Sequence, residues 1–152
     1  MNSEELKPGF QGSTPRALLE NVAISVKKEE LRKVLSQLKD AGFDHLSDVT
    51  CVDYPDEREF EILYHLWSHA KKCRKVVKVR LPRESPSIKS VSNIWEGAQI
   101  HEREICELFG VNFEEHPDPS PLFLEDWKEI PPLRKDFDTR EYVKREYYDE
   151  SS

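Results

Sequence analysis

The residues able to do chemistry are concentrated between Glu102 and Phe137, which reads as a helix end followed by a Pro-rich acidic ribbon. The helix carries His101, Glu102, Arg103 and Glu104, and the ribbon carries His116 and Asp118 in a Pro-bounded turn. An apolar stripe through Ala98, Ile105 and Leu108/Phe109 must pass through His101 or Glu102, so one polar group is held at the edge of an apolar face. Burial alone raises the pKa of a glutamate there, and a cation opposes that. Arg103 points about 100° away from Glu102 on a helix, which makes a distant arginine such as Arg134 the better partner. Three roles fit Glu102: a buried tie to an arginine, an interface salt bridge, or a catalytic carboxylate. His116 with Asp118 fits acid–base work or a turn that satisfies its own backbone.

Other chemistries lack their residues. His101 has no second strong ligand four residues on, as a helical zinc site requires. Cys51, Cys73 and Cys106 form no Cys-x-x-Cys or cluster-binding spacing. No Gly-rich phosphate loop, Gly-x-Ser-x-Gly elbow or Ser/His/Asp set is present. The odd cysteine count and the lack of a signal sequence predict a reducing, intracellular setting. No apolar run approaches the roughly 20 residues that span a bilayer.

The elements that must position these residues follow from periodicity. Val22, Ile24 and Val26 alternate as a strand. Lys28 to Ala41 places Leu31, Val34, Leu35 and Leu38 at helical spacing, with Gly42 as its stop. His45 to Tyr54, Phe60 to Leu66 and Val76 to Leu81 read as three strands joined by turns. Ser85 to Ser90 is a connector, and Ser90 or Ser92 is placed to cap the next helix. That helix runs to Phe109, with a break expected at Gly97 and a left-handed cap at Gly110. The order β-α-β-β-β predicts an α+β body, a small mostly antiparallel sheet with helices packed on it. Residues 1–15 read as a mobile or partner-bound arm, 16–113 as the body, and 114–152 as an extended ribbon and tail without a core of its own.

With 152 residues the chain fits one domain. Residues 1–101 carry a net +1 and residues 102–152 a net −8, so the acidity belongs to the ribbon and tail. Residues 71–83 hold seven basic side chains and no acid. They read as a solvated or partner-facing row on an edge strand; nucleic-acid binding would want aromatics among them. Asn and Gln total only seven and Met occurs once, a bias similar to that of hyperthermophile proteins.

Five ordered blocks in the ribbon carry a resemblance. They are Glu102-Arg103-Glu104, Leu108-Phe109-Gly110, His116-Pro117-Asp118, Glu125-Asp126-Trp127 and Pro132-Leu133-Arg134-Lys135-Asp136-Phe137. In order and spacing they resemble the 30 kDa subunit family of respiratory complex I, the NADH dehydrogenase of respiratory chains. That family includes the homologous subunit of membrane-bound NiFe hydrogenases and sulfane sulfur reductases. The resemblance implies a subunit of an oxidoreductase complex that has no catalysis and no cofactor of its own. It implies packing against a large subunit holding the quinone or NiFe site and against iron–sulfur subunits, with iron–sulfur clusters, NiFe or flavin carried by those partners. It places the chain peripherally on the cytoplasmic side, reaching the membrane only through other subunits. Glu102, Arg103, Glu104, His116, Asp118, Trp127, Arg134, Lys135, Asp136 and Phe137 are then the interface or anchoring residues. Two departures matter. Glu115 stands where complex I proteins usually have Gly, and Pro119-Ser120-Pro121 stands where they usually have Leu-Arg-Arg. With the composition, these tilt the expectation toward a hydrogenase-type or ferredoxin-linked relative. The competing readings are a stand-alone acid–base enzyme using Glu102, His116 and Asp118, and a binding module using the basic strand.

Overall fold

A computed structural model of the chain describes residues 23–148. The expected arm at 1–15 and Val22 lie outside the described residues. β1 (Ala23–Val26) leads through a short 3-10 turn (Lys28–Glu30) into α1 (Leu31–Asp40). β2 (His45–Tyr54), β3 (Glu59–Ser68) and β4 (Cys73–Pro82) follow as a meander. The sheet order is β1-β4-β3-β2, antiparallel except for the parallel β1–β4 pair. The α+β architecture with a mostly antiparallel four-stranded sheet is therefore as expected. α1 makes the crossover from one sheet edge to the other, which a hairpin cannot do for strands of like direction. Gly42 follows α1 at φ +101°, a conformation only glycine adopts cheaply.

The strand alternation decides what is inside. Phe60, Ile62, Tyr64 and Leu66 on β3 are fully buried, opposite Val77, Val79 and Leu81 on β4. Leu31, Leu35 and Leu38 of α1 join the same cluster. α2 (Ala98–Phe109) adds Ala98 and Ile105 and packs beside β2. At its end Gly110 has φ +80°, and its N–H donates to Cys106 O at 2.9 Å, the expected left-handed cap.

Several expectations fail for physical reasons. The connector forms β5 (Ser87–Lys89), which pairs in parallel with β6 (Asn112–Glu114). Each is only three residues long, too short to show a period. Ser90 and Ser92 cap nothing: α2 begins after Gly97 with no side-chain cap. The chain instead turns at Val91–Trp95, and Ser90, which bonds Ser92, faces inward toward the helix. Lys75 is not part of a solvated row. It shares parity with Val77, Val79 and Leu81 and is fully buried. The segment after Phe137 is not wholly extended: α3 (Thr139–Val143) starts at Asp138, whose carboxylate accepts from the N–H groups of Arg140 and Glu141.

Candidate functional site: the helix–ribbon clasp

α2 presents a different polar contact on each side of its apolar stripe. Glu102 is on the stripe and has no exposed surface. Its carboxylate accepts from Ser90 Oγ at 2.6 Å and from Val91 N at 2.7 Å. His116 Nε2 is 3.7 Å from Glu102 Oε2 and 3.0 Å from Gln99 O, while Asp118 N donates to His116 Nδ1 at 3.0 Å. In that pattern Nε2 is the donor, to Gln99 O, and Nδ1 the acceptor, from Asp118 N–H. Burial pushes the Glu102 carboxyl above its ordinary range, and the two hydrogen bonds oppose the shift.

The expected Glu102–Arg134 pair does not exist. Arg134 Nε donates to Phe109 O at 2.7 Å, and its guanidinium lies over the Phe60 ring at 5.2 Å. A cation at the last carbonyls of α2 also suits the helix dipole. Glu102 is satisfied instead by the connection between β5 and α2.

The adjacent face of α2 holds the ribbon. Arg103 donates to Ser120 O (3.0 Å), Ser120 Oγ (3.1 Å) and Pro121 O (2.9 Å). Asp118 accepts from the Ser120 backbone and hydroxyl, the latter at 2.6 Å, closing the turn. Glu107 accepts from three successive backbone groups, Leu122, Phe123 and Leu124. Burial raises its pKa, but the three N–H bonds outweigh that and hold it below the usual carboxylate range. Sequence reasoning missed Glu107; its spacing four residues after Arg103, on the same helix face, was the available signal.

The last block is clasped to the far end of the sheet. Asp53, buried on β2, takes a two-point bond from Arg83 at 2.8 and 3.0 Å. Asp53 also accepts from Lys135 N at 2.8 Å, and Asp136 binds Arg83 at 2.9 Å. Burial works against ionised Asp53, but the arginine and the backbone bond win, and its pKa is lowered. Leu133 N donates to Leu108 O at 3.0 Å. Phe137 and Trp127 stack 5.7 Å apart, and Tyr142 joins both at 5.6 and 5.1 Å. This half-buried aromatic cluster orders the ribbon's end, and Trp127 Nε1 donates to Ile130 O.

The expected site residues fall into separate groups: Glu102 with His116, Arg103 with Asp118, Arg134 on the end of α2, the Lys135 backbone and Asp136 on Asp53 and Arg83, and Trp127 with Phe137, while Glu104 makes no hydrogen bond or ion pair among the described residues. The arrangement fastens backbone, with Arg103 on ribbon carbonyls and Glu107 on ribbon N–H groups. Glu102 is sealed and the His116 side chain is 3% exposed, so neither reaches a substrate. No group of three His, Cys, Asp or Glu among the described residues could hold a metal ion. Burial pushes the Cys51 thiol up to about 12, which leaves it unreactive. Within the basic stretch, Arg80 is bound by Glu57, Glu59 and Glu61, and Arg83 by Asp53 and Asp136. No helix among the described residues is long and apolar enough to cross a membrane.

Residues 24–143 match the family described as "Respiratory-chain NADH dehydrogenase, 30 Kd subunit". The chain is 36% identical to a subunit of the F420H2 dehydrogenase of Methanosarcina mazei, covering 91% of this chain and 93% of that one. It is 36% identical to a subunit of the NADH-quinone oxidoreductase of Moorella thermoacetica, over 88% of this chain and 91% of the other. Among solved structures, it superposes with a TM-score of 0.76 and 32% identity on a chain of the membrane-bound sulfane sulfur reductase, an archaeal respiratory membrane complex. That match covers 82% of this chain and 76% of the other.

Proposed function

The chain belongs to the 30 kDa subunit family of respiratory-chain NADH dehydrogenase, and from that premise we propose that it is a cofactor-free structural subunit of a complex I-like membrane-bound redox complex. It packs against the large subunit and iron–sulfur subunits on the cytoplasmic side and keeps their redox centres in register, so that electron transfer is coupled to ion translocation. The clusters, and any NiFe site or flavin, reside in those partners. The observation that carries this reading is the clasp. The charged groups at 102, 103, 107, 134 and 136 are spent on holding the chain's own fold, which is the chemistry of a scaffold. The division into a body (16–113) and a ribbon and tail (114–152), with α3 inside the tail, is part of the proposal. So is a partner-facing role for the site residues, with Glu104 on the outer side of α2 and Trp127 and Phe137 at the ribbon's end.

The departures from the complex I pattern support a place nearer the hydrogenase or ferredoxin-linked complexes. The carbonyls of Ser120 and Pro121 are taken by Arg103 within the chain. The doubled arginine usual at this place, a candidate partner contact, is replaced by an internal turn. Glu115 has φ +64°, which explains why glycine is usual there; here the strained glutamate is offset by a pair with Arg32 at 2.6 Å. Purification of the tagged chain from its own cells in mild detergent tests the proposal. A large redox subunit and iron–sulfur subunits are expected to come with it. A lone chain that turns over substrate would overturn it.

A further inference from the structure

α2 carries five titratable side chains besides its cysteine, and four are engaged within the chain. His101 meets Asp48 at 3.1 Å, Glu102 is sealed by Ser90 and Val91, and Arg103 and Glu107 hold the ribbon. Glu104 is half-buried and makes no hydrogen bond or ion pair among the described residues. At helical spacing it lies between Ile100 and Leu108 on the outward crest of α2. Ile100 is 59% exposed. Two further apolar residues are exposed on the ribbon where its backbone bonds to α2. The Glu107 carboxylate fixes Phe123, 66% exposed, and the Leu108 carbonyl fixes Leu133, 52% exposed. Ile100, Phe123 and Leu133 are thus exposed on this helix and on the ribbon bonded to it, and Glu104, one turn from both Ile100 and Leu108, has no hydrogen-bond or ion-pair partner among the described residues. Interface cores look like this when a cation arrives from the partner, because a desolvated charge must be matched.

We infer that this crest is a docking surface for a protein partner that presents an apolar face with an arginine or lysine aimed at Glu104. The inference rests on the subunit reading above and names the chemistry of the partner face. Charge complementarity selects the occupant: a carboxylate on the helix to which the acidic ribbon is fastened repels anionic lipid and nucleic acid and attracts a basic protein surface. It also divides the labour within Glu102-Arg103-Glu104: the first two residues build the clasp and the third is left for the neighbour.

The test uses the full chain co-expressed with its complex. Glu104→Gln, Glu104→Lys and Phe123→Ser are compared with wild type and with Glu96→Gln, an exposed carboxylate just before the helix. Two quantities are read: melting of the free chain, and its dissociation from the purified complex. The expected result is unchanged melting for both Glu104 variants. Dissociation should be faster by about tenfold or more, with Lys worse than Gln, a similar loss for Phe123→Ser and none for Glu96→Gln. Wild-type retention of Glu104→Lys in an otherwise normal complex would overturn the inference and leave the subunit reading intact. Failure of the wild-type chain to co-purify with redox subunits would overturn that reading, and the inference with it. Phe123-dependent sedimentation of the free chain with phosphatidylserine vesicles would overturn the choice of a protein partner.

Discussion

At the scale of single residues, the two carboxylates of the clasp respond to pH in opposite directions. The native fold raises the Glu102 pKa above the ordinary 4.5. Its contribution to stability is therefore largest below that value and falls as pH rises through the folded pKa. Glu102→Gln mimics the protonated form, so the variant should melt no lower than wild type at pH 8. Glu102→Ala, by contrast, orphans Val91 N–H and Ser90 O–H and leaves a cavity, costing about 2–4 kcal/mol. Thermal melting at pH 5 and pH 8 separates the two. Arg134 gives a second test. Its bond to Phe109 O and its stacking on Phe60 set the loss in Arg134→Ala at about 2 kcal/mol. A double-mutant cycle with Glu102→Gln should show coupling under about 0.5 kcal/mol, since the two side chains share no contact. Strong coupling would restore the direct pair that the sequence suggested. Gly110 belongs to the same corner. A Cβ there would sit 2.9 Å from Arg134 Nη2 and 3.0 Å from Pro131 Cγ, at φ +80°. Gly110→Ala is expected to cost more than the roughly 1 kcal/mol of a left-handed alanine alone, as measured by denaturant unfolding.

At the scale of elements, legibility followed the length of the periodic signal. β2 is ten residues long and α1, with its 3-10 lead, thirteen; both emerged from alternation or helical spacing at nearly the right bounds. β5 and β6 are too short to carry a period, and their pairing joins residues about 25 apart through α2. That pairing is what delivers Ser90 and Val91 to Glu102, so the partner of the buried carboxylate was out of reach from sequence. Lys75 misled for another reason. Its charge suggested solvent, while its parity with Val77 and Leu81 placed it inside. The ribbon was recognised by its residue blocks, but its attachment through Glu107 was not. The fold lowers the Glu107 pKa, so its grip on the ribbon is present above the ordinary 4.5 and is lost as pH falls through the folded value. Hydrogen exchange at Leu122, Phe123 and Leu124 should therefore accelerate, relative to the β3 core, as pH falls through and below the ordinary carboxylate range. Glu107→Gln, which keeps only one accepting oxygen, should show the same acceleration at pH 7. Unchanged exchange in the variant would mean that packing, and not the carboxylate, holds this stretch.

At the scale of the whole molecule, one sheet face and two helices make a conventional core, and the distinctive chemistry is spent on fastening a ribbon to its edge. Asp53 and Arg83 at one end and Arg103 and Glu107 at the other fix the ribbon without giving it a buried core: no described residue beyond Phe113 is buried as a whole. Such a segment presents backbone and side chains to a neighbour in a set geometry, which reduces the ordering cost of assembly. On the proposed function, residues 98–137 form the surface through which the subunit joins its complex. Hydrogen exchange of the chain, free and within the purified complex, tests this most directly. New protection on assembly is expected to concentrate in α2 and the ribbon, with little change over the basic stretch 71–83. Protection confined to 71–83, or a complex that forms with α2 and the ribbon exchanging as fast as in the free chain, would contradict it.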